Sequence, residues 1–306
     1  MDLGISVDWV GSSKNKFARL ISIIGNLRRN PVDVIQSAHF YTNIYAALAG
    51  RALGVTSIGA IRNDLTSEIS ANGVFGRWNL KLPKRLIANS QLAVDRAIAA
   101  RIDPSRIYLV RNAVDLHCKG RHVTDGTGVT LLFAGRLVPQ KRPELFIELA
   151  SELVGMHPRS KLKFIIAGDG PQRASLEQKA REKGLGENEV SFRGEEASMS
   201  GVFQQSDILV LTSKHEGTPN VVLEAMANGL AVVASRVGGV SEIVDEDRGL
   251  VVDPHDFSEL LEATSTLIAD QGRRYKMGIN GRTYVGRNHS ITSLQRELTG
   301  VYSRIF

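Results

Sequence analysis

The chain has 306 residues, of which 42% are hydrophobic and 23% are charged. This length and apolar content allow two ordinary hydrophobic cores, so we expect two domains. No apolar run approaches the length needed to span a bilayer, and no signal-peptide pattern is seen at the start. The single cysteine, Cys118, excludes an internal disulfide framework and fits a reducing cytosol. Cys118 lies in a polar connector rich in Lys and Arg, which argues against a role as catalytic nucleophile.

The net charge of +6 is unevenly distributed along the chain. Residues 1–128 hold 17 Lys and Arg against 9 Asp and Glu, a net charge of +8, whereas residues 129–306 hold 21 against 23, a net charge of −2. A basic N-terminal half indicates an anionic partner, either a membrane surface or a phosphorylated acceptor. The alternative is an ordinary solvated surface. The candidates for such a contact are Lys81, Lys84 and Arg85, close to Trp78 and Leu82. Nucleic acid is disfavoured because the basic residues are dispersed and not interleaved with aromatic ones.

Short apolar runs in the first 115 residues predict the strands of an α/β domain. The predicted strands are Ile5–Trp9, Val32–Gln36, Thr56–Ile61, Leu86–Asn89 and Ile107–Val110. Gly11–Lys16 lacks the Gly-Lys-Ser/Thr spacing of a phosphate loop and is interpreted as a turn. Residues 116–128, rich in Gly, Thr, His and charge, are the predicted linker to a second domain.

From residue 129 onward, apolar runs alternate with helical patterns, which is typical of a parallel sheet wrapped by helices. The predicted strands are Val129–Ala134, Leu162–Ala167, Val190–Phe192, Ile208–Thr212, Ala231–Ala234 and Gly249–Val252, with helices near 143–156, 171–184, 196–205, 219–228 and 256–270. This pattern predicts a doubly wound domain of Rossmann type, in which ligands bind at the carboxyl ends of the strands. The chain ends in an apolar stripe at helical spacing over Ser290–Phe306.

The segment Lys214–Glu224 places one glutamate in a Gly/Pro loop and a second inside the helix that the loop opens. Thr218 is expected to cap this helix, Pro219 to occupy its first position and Gly229 to end it. Free backbone amides at a helix start attract a phosphate, and the carboxylates of Glu216 and Glu224 can accept hydrogen bonds from sugar hydroxyls. A diphosphate flanked by two such carboxylates is what a nucleotide-sugar site requires.

This arrangement resembles the Glu, seven residues, Glu motif of retaining glycosyltransferases with the GT-B fold, the family-four type of the group 1 glycosyl transferases. The resemblance implies an α/β fold of two doubly wound Rossmann-like domains that face a cleft. It implies an acceptor-side domain at 1–115, a linker at 116–128, a nucleotide-sugar-binding domain at 129–286 and a helix at 287–306 that returns to the first domain. Met1 falls near the third strand of a typical first domain, so that domain is expected to be incomplete by roughly 50–70 residues.

The resemblance also implies roles for particular residues. Arg136 and Lys141, in the Gly135–Arg142 loop, would neutralise the leaving diphosphate, because fixed cations aimed at growing negative charge favour the transition state. Arg142 is expected to face solvent. Glu216 is the third residue with an implied catalytic role, beside Arg136 and Lys141. The residues expected to bind the donor are Gly135, Gly168, Gly170, Arg193, Pro219, Asn220, Val221, Val222 and Glu224. Gly238 and Gly239 are expected to shape a turn beside the sugar, and Glu242 to support a helix start.

On the acceptor side, the corresponding residues are His39, Arg62 and Asn112. Arg62 stands where the family usually has a histidine, and an arginine cannot act as a base near neutral pH. In this family, attack on the front face lets the leaving phosphate take the acceptor proton, so no protein nucleophile is required. Asp245–Asp247 satisfies an Asp-x-Asp rule but lies in a polar turn. We therefore expect no metal and no cofactor other than the nucleotide sugar.

The resulting hypothesis is a transferase that moves a sugar, with retention of configuration, to a glycan or lipid-linked acceptor in surface polysaccharide or glycoconjugate assembly. Its expected location is the cytoplasm, with the inner face of the membrane as a further option. Two alternatives stay open. One is a nucleotide-sugar epimerase of the same fold, against which the Glu216/Glu224 pair and the Arg136/Lys141 loop argue. The other is a non-catalytic nucleotide-sugar-binding or scaffold protein that lacks a working acceptor domain.

Overall fold

The structure is a computed structural model that describes residues 6–10, 15–116, 128–157 and 161–305. Cys118, most of the predicted turn at Gly11–Lys16 and almost all of the predicted linker at 116–128 lie outside these residues, as does the first residue of the strand predicted at Ile5–Trp9. Residues 6–10 form no strand, so that prediction was wrong for them. Val7 and Trp9 are more than 80% exposed, without the burial that stabilises a strand.

The chain divides into two compact units. The first comprises Met1–Ala88 and Ala93–Leu109, and the second comprises Asn89–Leu92 and Val110–Phe306. Each unit is built on its own parallel sheet, as predicted for two Rossmann-like domains.

The first unit contains a four-stranded sheet in which each strand pairs in parallel with the next along the chain. Its elements in order are α1 (Lys16–Arg29), β1 (Val34–Gln36), α2 (Asn43–Leu53), β2 (Thr56–Ile61), α3 (Leu65–Ala71), α4 (Val74–Lys81), β3 (Arg85–Ala88), α5 (Gln91–Ala99, whose first two residues belong to the second unit) and β4 (Ile107–Leu109). Four of the five predicted strands are thereby confirmed to within two residues. Five of the six residues of β2 are buried, as expected for a parallel strand covered on both faces.

The second unit contains a six-stranded parallel sheet. Its first elements are β5 (Gly128–Ala134), α6 (Pro143–Met156), β6 (Lys161–Ala167), α7 (Arg173–Glu182), β7 (Val190–Gly194), α8 (Ser200–Gln204) and β8 (Ile208–Leu211). They are followed by α9 (Asn220–Ala227), β9 (Ala231–Ser235), α10 (Val240–Ile243), β10 (Gly249–Val252), α11 (Phe257–Ala269), α12 (Gln271–Asn288) and α13 (Ile291–Tyr302). The strands lie in the order β10-β9-β8-β5-β6-β7, which is the doubly wound order of a Rossmann domain, and their positions confirm the predicted strands.

Two apolar clusters cover the two faces of this sheet. On one face Phe133, Phe146 and Phe164 pack ring against ring, with centroids 5.8 and 6.0 Å apart. On the other face Leu132 and Leu209 pack against the buried side of α9. Successive residues of a strand point to opposite faces, which is why neighbours such as Leu132 and Phe133 belong to different clusters. The sheet therefore holds the loops at its carboxyl edge on a rigid base.

Helix α12 has no counterpart among the predicted elements. Its polar, glycine-containing sequence has low intrinsic helix propensity. Tertiary packing uses those glycines: a Cβ on Gly278 would lie 2.1 Å from the carbonyl oxygen of Gly229, and one on Gly281 would lie 3.2 Å from Met226. The small residues let α12 pack closely against α9. The last helix, α13, confirms the apolar stripe predicted over Ser290–Phe306, since its Val301 is buried.

Candidate functional site

Two loops leave neighbouring strands at the centre of the second sheet. From β5 the strand order runs one way through β6 and β7, and the other way through β8, β9 and β10. Such a topological switch point opens a crevice at the carboxyl ends of the strands, where parallel α/β sheets bind their ligands. The loop after β5 spans Gly135–Arg142, and the loop after β8 spans 212–219. Both are segments that the sequence singles out.

The two loops are joined by several direct contacts. The Lys141 ammonium lies 2.5 Å from a carboxylate oxygen of Glu216. The backbone N–H of Lys214 donates to the carbonyl oxygen of Gln140 (2.8 Å), whose side-chain amide donates to the carbonyl oxygen of His215 (2.9 Å). The predicted catalytic residues Lys141 and Glu216 are therefore brought together by the fold.

The Lys141–Glu216 pair is well shielded from water. The side chain of Lys141 is 17% exposed and that of Glu216 is 9% exposed. Charges in such surroundings are screened less than surface charges, so the pair creates a strong local field and holds the ammonium in one place. Arg136, the other predicted cation of this loop, is exposed. Of the two cations predicted to act on the diphosphate, Lys141 is thus fixed and Arg136 is accessible.

A glycine turn before α10 supports the Glu216 loop from behind. Gly238 adopts φ +54°, and a Cβ at this position would lie 1.8 Å from the carbonyl oxygen of Glu216. The next N–H, that of Gly239, donates to the carbonyl oxygen of Gly217 (2.8 Å). Only glycine fits this conformation at this distance, because any side chain would strike the backbone of the loop. The predicted turn at Gly238 and Gly239 therefore positions Glu216.

The start of α9 differs from the prediction by one residue. Pro219 is the N-cap residue, Asn220 is the first helical residue, and no side chain caps the helix start. Thr218 was wrongly predicted as the cap: its hydroxyl instead donates to the carbonyl oxygen of Asn89 (2.9 Å). The N–H of Val222 donates to the carbonyl oxygen of Pro219 (3.2 Å).

The N–H groups at a helix start commonly lack intrahelical acceptors. In α9 the N–H of Val222 already donates to Pro219, whereas those of Asn220 and Val221 have no acceptor in the described parts of the chain and are available to receive an anionic ligand. Gly229, with φ +79°, follows the C-cap of the helix, as predicted.

Glu224 lies on the second turn of α9 and is half-buried. Its carboxylate has no hydrogen-bond partner among the described residues, and burial raises its pKa above the ordinary glutamate value. A carboxylate held in a poorly solvated place gains more from a hydrogen-bond donor than one in water does. Glu224 is therefore suited to accept hydrogen bonds from hydroxyl groups of a ligand.

The raised pKa of Glu224 predicts a pH-dependent effect of Glu224→Gln on stability. The folded pKa lies above the unfolded pKa, so the carboxyl contributes most to stability below the unfolded value. That contribution is lost as pH rises through the folded value. Glu224→Gln, which removes the charge, is expected to unfold at a higher temperature than wild type at neutral pH and at nearly the same temperature in acid. Thermal unfolding of both proteins across this pH range checks the prediction, and a wild type that is more stable at neutral pH would contradict it.

A third loop, after β6, lies against the first. A Cβ on Gly168 would be 2.0 Å from the carbonyl oxygen of Gly135, and the N–H of Leu137 donates to the carbonyl oxygen of Asp169 (2.9 Å). The Gly170 N–H, followed by Arg173, lowers the pKa of the Asp169 carboxyl, which is thus held as a carboxylate. Gly135, Gly168 and Gly170, all predicted donor-binding residues, therefore meet at one place.

Other residues singled out in the sequence have different partners. Arg193 is exposed and donates to the side chain of Gln205 (3.0 Å). Arg142 was wrongly predicted to face solvent: it is half-buried, and its guanidinium donates to the carbonyl oxygen of Pro254. Asp245 pairs with Arg248 at 2.7 Å. In the described parts of the chain, no three His, Cys, Asp or Glu side chains are grouped to hold a metal ion.

The predicted acceptor-side residues fall in different units. His39 and Arg62 belong to the first unit and are both exposed, and the His39 ring stacks on Tyr41 with centroids 5.5 Å apart. Asn112 belongs to the second unit, where its side-chain amide donates to the carbonyl oxygen of Thr218 (3.0 Å) and to the side chain of Asn220 (2.8 Å). Asn112 thus contacts the start of α9.

Glu242 was predicted to support a helix start, and the structure confirms this. Its carboxylate accepts hydrogen bonds from the N–H groups of Gln91 and Leu92, the first two residues of α5, each at 2.8 Å. Sequence reasoning missed two other residues that shape the site or its surroundings. Gln140 joins the two central loops, and His289 contacts Asn112. Neither carries a motif of its own, so only the pairing of distant segments reveals them.

Comparison with known proteins agrees with this geometry. The family profile described as "Glycosyl transferases group 1" matches residues 128–270, and the profile "Glycosyltransferase Family 4" matches residues 9–117. A GDP-mannose-dependent alpha-mannosyltransferase of Mycolicibacterium smegmatis is 31% identical over 284 residues, covering 86% of this chain and 71% of the relative. An alpha-D-kanosaminyltransferase of Streptomyces kanamyceticus is 30% identical over 57% of this chain, which spans 45% of that relative's length.

The fold has counterparts among solved structures. HepE from Anabaena, solved in complex with UDP, superposes with a TM-score of 0.80 at 20% identity, covering 94% of this chain and 82% of that chain. Sucrose-phosphate synthase from Thermosynechococcus elongatus superposes with a TM-score of 0.79 at 19% identity, covering 95% and 79%. These likenesses concern the fold. Together with the profiles and the mannosyltransferase, they show that this chain belongs to the group 1 glycosyl transferases of the family-four type, with the GT-B fold.

Proposed function

We propose that this protein is a retaining glycosyltransferase that moves a sugar from a nucleotide-diphosphate donor to a glycan or lipid-linked acceptor, without a metal ion. The observation that carries the proposal is the direct contact of Lys141 with Glu216 at the switch point of the second sheet, which joins the loop that carries Arg136 to the loop that opens α9. Names of similar proteins support a nucleotide-sugar donor, since HepE was solved with UDP-glucose and the M. smegmatis relative is named as GDP-mannose-dependent.

The chemistry follows from the charges of the two loops. When the bond between the sugar C1 and the diphosphate oxygen breaks, negative charge grows on the leaving phosphate. The fixed ammonium of Lys141, the exposed guanidinium of Arg136 and the N–H groups at the start of α9 can stabilise that charge. Glu216 keeps the ammonium in place, so little reorganisation is needed as the reaction proceeds. These groups supply the charge stabilisation that a metal ion provides in other transferases.

The stereochemical outcome is proposed from the same residues. The acceptor oxygen would attack C1 on the face that the diphosphate leaves, and the leaving phosphate oxygen would take the hydroxyl proton. No enzyme nucleophile forms a bond in this scheme, so Glu216 and Glu224 act by hydrogen bonding. Glu224, whose pKa is raised by burial, is assigned to donor hydroxyl groups.

Product analysis tests this proposal. The protein would be incubated in EDTA with UDP-, GDP-, ADP- and dTDP-sugars of α configuration, with simple glycosides as acceptors and ¹H NMR as the readout. We expect nucleoside diphosphate release from one donor and a first-formed α product. A β product would contradict retention, and a requirement for added metal would contradict metal independence. Release of an epimerised sugar would favour the alternative of a nucleotide-sugar epimerase. Donor binding without turnover would favour the alternative of a non-catalytic nucleotide-sugar-binding or scaffold protein.

The acceptor side is proposed to include an anionic lipid surface at the cytoplasmic face of the membrane. In the first unit a cavity of about 720 Å³ is lined by Lys16, Phe17, Arg19, Phe75 and Trp78 among others. The three aromatic side chains are more than half exposed. Exposed aromatic rings beside cations suit the interface of an anionic membrane. No helix in the described residues is long and apolar enough to cross a membrane.

Co-sedimentation with vesicles tests the membrane proposal. The full chain is expected to bind vesicles of phosphatidylglycerol and phosphatidylcholine, to bind pure phosphatidylcholine weakly, and to lose binding in Trp78→Ala. Tyr275→Ala is a matched control, because Tyr275 is an aromatic residue of the second unit with 57% exposure against 55% for Trp78. Equal loss in both variants, or equal binding to both kinds of vesicle, would contradict the proposal.

A further inference from the structure

His289 follows the end of α12 and is almost completely buried, with 2% of its surface exposed. Its Nδ1 atom lies 2.8 Å from the carbonyl oxygen of Asn112. A carbonyl oxygen only accepts, so Nδ1 carries the proton and donates it. Its Nε2 atom is buried without a hydrogen-bond partner in the described parts of the chain. Burial lowers the pKa of His289, which favours the neutral ring. The single N–H group of the neutral ring therefore donates to the carbonyl oxygen of Asn112.

The backbone on both sides of Asn112 is held by the same region of the chain. The N–H of Val114 donates to the carbonyl oxygen of His289 (2.9 Å). The N–H of Arg111 donates to the carboxylate of Glu297 (2.7 Å), which also pairs with the Arg111 guanidinium (3.0 Å). His289, at the end of α12, and Glu297 of α13 thus hold the segment 111–114 at Arg111, Asn112 and Val114.

The side chain of Asn112 faces the loop that opens α9. Its amide nitrogen has two hydrogens, and it donates to two acceptors, the carbonyl oxygen of Thr218 (3.0 Å) and the side-chain oxygen of Asn220 (2.8 Å). Both acceptors belong to the segment that presents the first N–H groups of the helix. A continuous chain of hydrogen bonds therefore runs from buried His289 through Asn112 to the start of α9.

We propose that His289 is a positioning residue for the donor site, which acts through the Asn112 carbonyl to hold the Thr218–Asn220 segment in the conformation that receives the donor diphosphate. This inference rests on the proposed function for the identity of the ligand. The positioning itself is a property of the protein without ligand, so it can be measured independently.

Three substitutions separate positioning from packing. His289→Phe keeps an aromatic ring but has no N–H to donate. His289→Asn is smaller, but its side-chain amide can place an N–H near the position of Nδ1. Val285→Ala removes buried methyl groups one turn earlier in α12, where Val285 is fully buried, and serves as a control for loss of packing.

Hydrogen exchange of the ligand-free protein gives the first readout. In His289→Phe we expect faster exchange in peptides that cover 214–224, whereas His289→Asn restores slow exchange. Val285→Ala is expected to lower thermal stability without faster exchange in these peptides. The proposal is overturned if His289→Phe exchanges like wild type, if His289→Asn is no better than His289→Phe, or if Val285→Ala has the same local effect.

Calorimetric titration with UDP-glucose and GDP-mannose gives the second readout. His289→Phe is expected to weaken binding by about tenfold, the usual worth of a hydrogen bond of this kind. The double variant His289→Phe/Asn112→Ala should bind no more weakly than Asn112→Ala alone, because both changes break the same chain of contacts. Additive losses would contradict the proposal. If wild type bound neither compound, the ADP and dTDP sugars would be titrated next. Binding of none of the four would overturn the proposed function, and hydrogen exchange would still decide the role of His289.

Discussion

Replacing Lys141 by methionine is expected to lower the rate of sugar transfer by about 10²- to 10³-fold, the usual loss when one fixed group that stabilises transition-state charge is removed. The loss should appear mainly in kcat, because the charge on the leaving phosphate grows as the bond breaks. The same change leaves Glu216, whose side chain is 9% exposed, without its cation. Breaking a buried pair on one side costs about 3–5 kcal/mol of stability. Steady-state kinetics and thermal unfolding measure the two effects.

The double variant Lys141→Met/Glu216→Gln separates these two effects. Removing both charges leaves no unpaired carboxylate, so the unfolding temperature is expected to recover most of the loss. The transfer rate is expected to stay low because the cation is still absent. Recovery of activity together with stability would contradict the assignment of Lys141 to the leaving diphosphate, since it would show that the single variant was merely unfolded.

Gly238→Ala is expected to disable the site through the backbone. The left-handed conformation at φ +54° costs a residue with a Cβ about 1–2 kcal/mol. The new methyl group would also lie 1.8 Å from the carbonyl oxygen of Glu216, so the Glu216 loop has to move. We expect lower thermal stability, and we expect the donor to bind at least about tenfold more weakly, since a displaced loop breaks hydrogen bonds of the site. Calorimetry and thermal unfolding check both results.

Gly155→Ala provides the control for a glycine substitution in the same unit. Gly155 lies in α6, and nothing lies within 4 Å of the position that its Cβ would take. Alanine is favoured over glycine inside a helix by about 0.5–1 kcal/mol, so this variant should be slightly more stable and bind the donor normally. A Gly238→Ala protein that bound the donor as tightly as Gly155→Ala would show that the turn does not position Glu216.

The sequence predicted correctly those elements that can be recognised from the residues of a single segment. The six strands of the second unit are apolar runs bounded by turn residues. The loop after β8 was recognised from its charged and Gly/Pro residues, and the loop after β5 from the family resemblance. The switch point then follows from the strand order. Lys141 and Glu216 were assigned separately to the catalytic set, yet their direct contact across 75 residues was not foreseen, because spacing along the chain says nothing about such pairing.

The sequence was a poor guide where tertiary packing overrides local preference. Helix α12 was missed because its glycines lower helix propensity, while the packing of Gly278 against Gly229 requires them. The cap at Thr218 was wrong because the hydroxyl finds a distant carbonyl group, that of Asn89, instead of the nearby helix amides. His289 gave no signal at all, since a lone histidine in a polar stretch has no motif.

Calorimetric binding of nucleotide sugars in EDTA is the most direct test of the claim that the loops after β5 and β8 form a donor site. Wild type and Lys141→Met/Glu216→Gln would be titrated with UDP-glucose, GDP-mannose and the ADP and dTDP sugars. We predict that folded wild type binds one nucleotide class selectively and that the double variant binds it at least about tenfold more weakly, as expected for the loss of a charge-assisted contact. Folded wild type that binds none of them, or a double variant that binds as tightly as wild type, would contradict the account.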